Sequence, residues 1–128
     1  MYKFVKIKYK SIMINNDDKN SVEIVSNGTI HEKDRNTNIY FETKEKNSFE
    51  FDVNKNHLTL RQGESKLHLI LHEEVKNSYL TPYGVLPLVT YLDVLELKEE
   101  CLKIKYRLFQ DKECISNIYM QITWLPAS

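Results

Sequence analysis

At 128 residues, with 41% hydrophobic side chains, the chain has the size and composition of one folded domain around a single core. Eighteen basic residues cancel eighteen acidic ones, which excludes a chain-wide attraction to polyanions. No nucleic-acid partner is therefore expected, because one would need a local basic patch instead. Two cysteines, Cys101 and Cys114, are too few for a disulfide framework and are expected to be reduced.

The first residues, Met1-Tyr2-Lys3-Phe4-Val5-Lys6-Ile7-Lys8, alternate charge with apolar groups and contain no uninterrupted apolar segment of the kind a secretory signal needs. A cytoplasmic location is the resulting expectation. From Lys3 to Met13 the odd positions carry Val5, Ile7, Tyr9 and Met13 and the even ones Lys6, Lys8 and Lys10, the period of two of a half-buried strand. A polar turn at Asn15–Asn20 leads to a second alternating run, Val22 to Gly28, where Gly28 suggests a bulge or bend. After a polar stretch at His31–Asn38, Ile39, Phe41 and Thr43 share a face.

Short alternating runs follow at Phe49–Val53, Leu58–Leu60 and Leu67–Leu71. Hairpin-length loops at Asn54-Lys55-Asn56 and Gly63-Glu64-Ser65 separate them, which predicts an antiparallel meander. Val85–Leu97 has apolar residues on both parities. A strand is favoured there by Val85, Val89, Thr90, Tyr91 and Val94. Pro87 and Asp93 interrupt it, and it is too short to span a bilayer, so no membrane association is expected. Leu102–Leu108 and Ile118–Trp124 then alternate cleanly about a turn at Asp111-Lys112-Glu113.

Eight to ten short strands with one apolar face each allow a β-sandwich or a barrel. The barrel is preferred because closure removes exposed edges. The expected fold is all-β, a single antiparallel barrel occupying residues 1–128.

Catalytic and metal motifs are not found. His68 and His72 would share a helix face, but on one strand their rings stand roughly 13 Å apart, too far for one zinc. His31 and His57 each stand alone beside turn residues. Three glycines supply neither a phosphate loop nor a nucleophile elbow, and the carboxylate pairs Asp17-Asp18, Glu73-Glu74 and Glu99-Glu100 fall in turns. No catalytic residue, metal site or cofactor is expected, and the chain is not read as an enzyme.

The most specific local feature is Tyr79-Leu80-Thr81-Pro82-Tyr83-Gly84. Pro82 fixes its own φ and holds Thr81 extended, while Gly84 permits a positive φ, so the segment encodes one sharp bend. Together with Arg61-x-Gly63 before it and Leu102-x-Ile104-x-Tyr106-x-Leu108 after it, this turn resembles the YwiB-like proteins, a family of unknown function from small bacterial chains. The likeness covers roughly residues 57–125 and implies a calycin-like, lipocalin-type β-barrel. It draws attention to Arg61, Gly63, Tyr79, Thr81, Tyr83, Gly84 and Tyr106, for which the family supplies no established roles.

Two functional readings follow. The first is a noncatalytic binding module whose barrel mouth takes a small apolar or amphipathic ligand. Its binding residues would be Arg61, Tyr79, Thr81, Tyr83 and Tyr106, with Arg61 meeting an acidic head group or serving only as an inter-strand ion pair. The second is a protein-interaction or homodimeric module that buries the doubly apolar Val85–Leu97 strand. An eight-stranded barrel is also small enough to be plugged by its own side chains, and Phe41, Phe49, Phe51, Tyr106, Met120 and Trp124 are candidates for that filling.

Overall fold

Alternation dominates the fold from end to end. The computed structural model describes residues 2–127, and among them every regular element is a strand. These are β1 (Tyr2–Asn15), β2 (Asp18–Lys33), β3 (Asn36–Glu42), β4 (Ser48–Asn54), β5 (His57–Gln62), β6 (Ser65–Ile70), β7 (Glu74–Thr81), β8 (Gly84–Lys98), β9 (Cys101–Gln110) and β10 (Glu113–Pro126). All pair antiparallel in one sheet of order β6-β5-β4-β3-β2-β1-β10-β9-β8-β7. The sheet is two meanders joined by the β1–β10 ladder, curled into a nearly closed barrel. The sandwich alternative is thereby excluded.

Two-residue turns connect most neighbours, and several place a non-glycine residue in the left-handed region: Asn16, Asp34, Lys55, Glu100 and the pair Asp111-Lys112. Asn and Asp tolerate that region best, and turns of this hand match the twist of the strands they join. Inward residues of every strand form one core, with Phe41, Phe51, Ile7, Ile39, Leu92 and Ile122 fully enclosed.

Three local expectations change. Gly28 makes no bulge, since its pairing with Val5 on β1 and Phe41 on β3 runs in register. A Cβ there would lie 2.4 Å from the Tyr40 carbonyl oxygen and 2.4 Å from Ile7 Cδ1, so glycine is required by close approach. His72 is not on the strand of His68, because β6 stops at Ile70 and His72 turns the corner with φ of 61°. The third change concerns Val85–Leu97. A bulge between Leu92 and Val94 moves the inward row from Leu88, Thr90 and Leu92 to Leu95, so the inward face draws on both parities, while Val85 and Val94 stay exposed.

The barrel closes between β6 and β7, where no named ladder runs. Side chains replace it. Asn77 on β7 points inward, accepts a hydrogen bond from the His68 amide at 2.7 Å and donates to the His68 carbonyl at 2.9 Å. Its amide also reaches the fully buried Thr90 hydroxyl at 3.1 Å, and that hydroxyl donates to the same His68 carbonyl at 3.2 Å. Ser65 Oγ donates to the Leu80 carbonyl at 2.9 Å, and at the far end Leu71 forms a parallel bridge with Leu92.

Candidate ligand-binding site

One end of the barrel gathers the β1–β2, β5–β6, β7–β8 and β9–β10 turns. Below them the lumen holds a cavity of about 370 Å³. This falls within the range of small-molecule sites. The walls are mostly apolar, with Met13, Leu60, Leu67, Leu86, Leu88, Leu108 and Met120 among them. Tyr9, Phe41, Phe49 and Phe51 pack ring against ring beside it, at centroid separations of 4.9–6.4 Å, and fill the neighbouring part of the lumen. Aromatic filling is thus real but partial.

Three tyrosines face this cavity: Tyr9 from β1, Tyr79 from β7 and Tyr106 from β9. Alternation puts each on the inward parity of its strand. Burial pushes the Tyr106 phenol far above its ordinary range, with the nearby Tyr9 and Tyr79 adding to the effect, and burial raises Tyr9 likewise against a smaller opposing contribution from Ser11. Tyr9 and Tyr106 are therefore neutral hydrogen-bonding groups at neutral pH. Among the described residues, the Tyr79 and Tyr106 hydroxyls have no protein hydrogen-bond partner, yet no fully buried side-chain polar atom is left unsatisfied. Both hydroxyls therefore open onto the cavity. Ser11, Ser116, Thr81 and Gln62 add further polar groups to its lining, and Ser116 Oγ donates to Asn15 Oδ1.

The wall beside the cavity is breached. β2 pairs with β3 only from Gly28 to Lys33, so residues 18–27 keep β1 on one side and no strand on the other. A cleft of about 950 Å³ lies between this bare edge and the β3–β4 loop. Val22, Phe49 and Gln62 line both the cleft and the cavity, so the two are separated only by these side chains.

Of the residues singled out from the sequence, the structure brings Tyr79, Thr81 and Tyr106 together at the cavity. Arg61 lies on the outer surface, where its Nη1 is 3.4 Å from Glu50 Oε1, so it is an inter-strand ion pair. Tyr83 is 99% exposed at the tip of the β7–β8 turn and points away. Thr81 also shapes that turn, donating to the Gly84 carbonyl at 2.8 Å and accepting from the Tyr83 amide at 3.2 Å. Gly84 has a φ of +123°, and Gly63 one of +62°. Ser11, Ser116 and Asn77 went unnoticed, although each is a polar residue on the inward parity of a strand.

Among the described residues no group of three His, Cys, Asp or Glu side chains could hold a metal, and both cysteines are free. No helix of the described residues is long and apolar enough to cross a membrane.

The fold has a solved counterpart. The crystal structure of ywiB protein from Bacillus subtilis superposes with a TM-score of 0.79 over 99% of this chain and 94% of that one, at 15% sequence identity. At that identity the likeness establishes the barrel alone. No curated protein matches the sequence. The family model for a domain of unknown function, DUF1934, matches residues 5–122, in keeping with the resemblance carried by the Thr-Pro-Tyr-Gly turn. With nearly its whole length matched, the chain belongs to the DUF1934 family.

Proposed function

We propose that the protein is a noncatalytic bacterial binding module of calycin type, acting in the cytoplasm, which takes one small amphipathic molecule into its lumen. The observation that carries this reading is the convergence of Tyr79 and Tyr106, two hydroxyls without protein partners, on an otherwise apolar cavity of about 370 Å³. An apolar body would pack against Leu86, Leu88 and Met120 while a polar end takes the tyrosine hydroxyls and Thr81. The ligand itself belongs to the chemistry of neutral hydrogen-bonding groups, since no charged side chain lines the cavity.

The test uses N-phenyl-1-naphthylamine, an uncharged fluorescent probe with an apolar body and one N–H group. Saturable, single-site fluorescence enhancement is expected. It should be lost in Leu88→Trp, which fills the cavity, and weakened several-fold in Tyr106→Phe, which removes one hydroxyl. Absence of saturable binding, or binding unchanged in Leu88→Trp, overturns the reading. The homodimer alternative keeps a smaller motive, because the bulge at Asp93 turns Leu95 inward while Val85, Val94 and Leu97 stay exposed on β8.

A further inference from the structure

The balanced composition conceals an uneven distribution. β1, β10 and β9 are neighbours in the sheet, and their only carboxylate is Glu113 at the turn end of β10. Outward from β1 stand Lys6, Lys8 and Lys10, and outward from β9 stand Lys103 and Lys105. The register aligns Lys10 with Gln121 and Gln121 with Lys103, so two lysine rows flank an uncharged strand presenting Tyr119, Gln121 and Thr123. The compensating acids lie elsewhere: Glu50 and Asp52 project from β4 and share the Asn38 amide at 2.8 and 2.7 Å.

Neighbouring strands neutralise part of this wall, and Glu96 on β8 stands opposite Lys103 in register. Glu23 on β2 reaches Lys8 and Lys10 at 3.7 and 3.6 Å, both exposed, while Glu96 on β8 is taken by Lys98 at 2.7 Å. Among the described residues, no carboxylate lies within ion-pair distance of Lys6, Lys103 or Lys105. Instead the Lys105 ammonium sits 5.2 Å from the centroid of the exposed Tyr119 ring.

From this arrangement we infer that the β1–β10–β9 wall binds single-stranded nucleic acid, a site separate from the lumen. Successive outward residues on a strand are roughly 7 Å apart and the two lysine rows roughly 10 Å apart. The first spacing suits consecutive phosphates of an extended strand, and the second leaves Tyr119 between the rows as a stacking surface for a base. Gln121 and Thr123 supply sequence-tolerant hydrogen bonds. An anionic bilayer suits the wall less well. The wall's most exposed apolar groups, Phe4 and Leu125, stand at the Lys6 end, whereas Tyr119 and Val94 beside Lys105 are only 41% and 38% exposed.

Fluorescence anisotropy with labelled 15-nucleotide oligo-U and oligo-dT at low ionic strength is the test. Binding that weakens steeply with added salt is expected, and Lys103→Glu with Lys105→Glu should lower affinity about tenfold or more. Tyr119→Ala should weaken the oligonucleotides while leaving binding to polyglutamate-competed heparin unchanged, separating stacking from charge. Lys66→Glu with Lys76→Glu on the opposite side, both exposed, should change affinity less than twofold. Circular dichroism checks that each variant folds, and Lys103→Gln with Lys105→Gln repeats the measurement with milder changes. No binding at low salt overturns the inference, as does equal loss in the Lys66/Lys76 pair or a preference for phosphatidylglycerol vesicles over the oligonucleotides.

Discussion

The barrel wall is interrupted twice, and the two interruptions are treated in opposite ways. Between β6 and β7 the missing ladder is replaced by Asn77, whose amide serves the His68 backbone as a neighbouring strand would. Along residues 18–27 of β2 the edge is left bare above a cleft that shares a wall with the lumen. Buried backbone groups must be satisfied, but those facing a solvent-filled cleft are met by water. The difference teaches where the fold demands closure and where it leaves an edge to water.

The largest expected effect comes from breaking the closed interruption. Asn77→Leu leaves the buried His68 amide without its acceptor and the His68 carbonyl with the Thr90 hydroxyl alone, and should cost about 3 kcal/mol. Urea unfolding measures it, and a loss below about 1 kcal/mol would show that the seam is held otherwise. Next is Gly28, which marks the point where β2 loses β3. Gly28→Ala forces a methyl against the Tyr40 carbonyl and Ile7, and a loss of about 1–3 kcal/mol is expected by the same method.

The open interruption is probed through the tyrosines behind it. In the folded protein Tyr106 and Tyr9 hold their protons above the ordinary phenol value of 10.0, so the unfolded chain releases protons first as pH rises. Their contribution to stability is complete below about pH 10 and declines above it. Stability measured from pH 8 to 11 should fall, and Tyr106→Phe should flatten the decline. An upward slope would contradict the burial of these phenols.

The smallest effect belongs to a region away from both gaps. Arg107 clasps Asp93 through two hydrogen bonds of 2.9 Å and lies against the Tyr91 ring, all on the outer surface. Asp93→Asn should cost about 0.2–1 kcal/mol, less at high salt. A larger loss would mean that the β8 bulge depends on this pair.

Period-two alternation was legible wherever inward residues were apolar, and it placed most strands from Val5 to Trp124, but it missed β7, whose inward row includes Asn77, and the break in pairing between β6 and β7. It failed at Asp93, because a bulge inverts parity without leaving a Gly or Pro as a signal. The cavity was legible through Tyr79, Thr81 and Tyr106, which sit on the inward parity beside a recognisable turn. Arg61 and Tyr83 share that turn region but have the outward parity or the turn tip, which nearness in sequence conceals. Asn77 could have been found as a lone amide among inward positions of β7, yet its partner, His68, is fixed only by how the sheet closes. The lysine wall was hidden for a similar reason. Lys6–Lys10 and Lys103–Lys105 are nearly a hundred residues apart and meet only through β10.

The pairing of β1 with β10 also sets the order in which the molecule can be completed. During synthesis β1 to β6 emerge first and can form their hairpins in sequence, whereas β7 to β10 make a second, later meander. The ladder uniting them, Val5–Ile14 against Asn117–Pro126, awaits the tenth strand. Until it arrives β1 has a free side, and the inward faces of both meanders lack cover. Contacts between such distant segments slow folding, so the nascent chain passes through a stage that exposes adhesive strands. The final strand is therefore the fastener of the whole domain, and slowing its arrival should raise aggregation more than slowing any single hairpin.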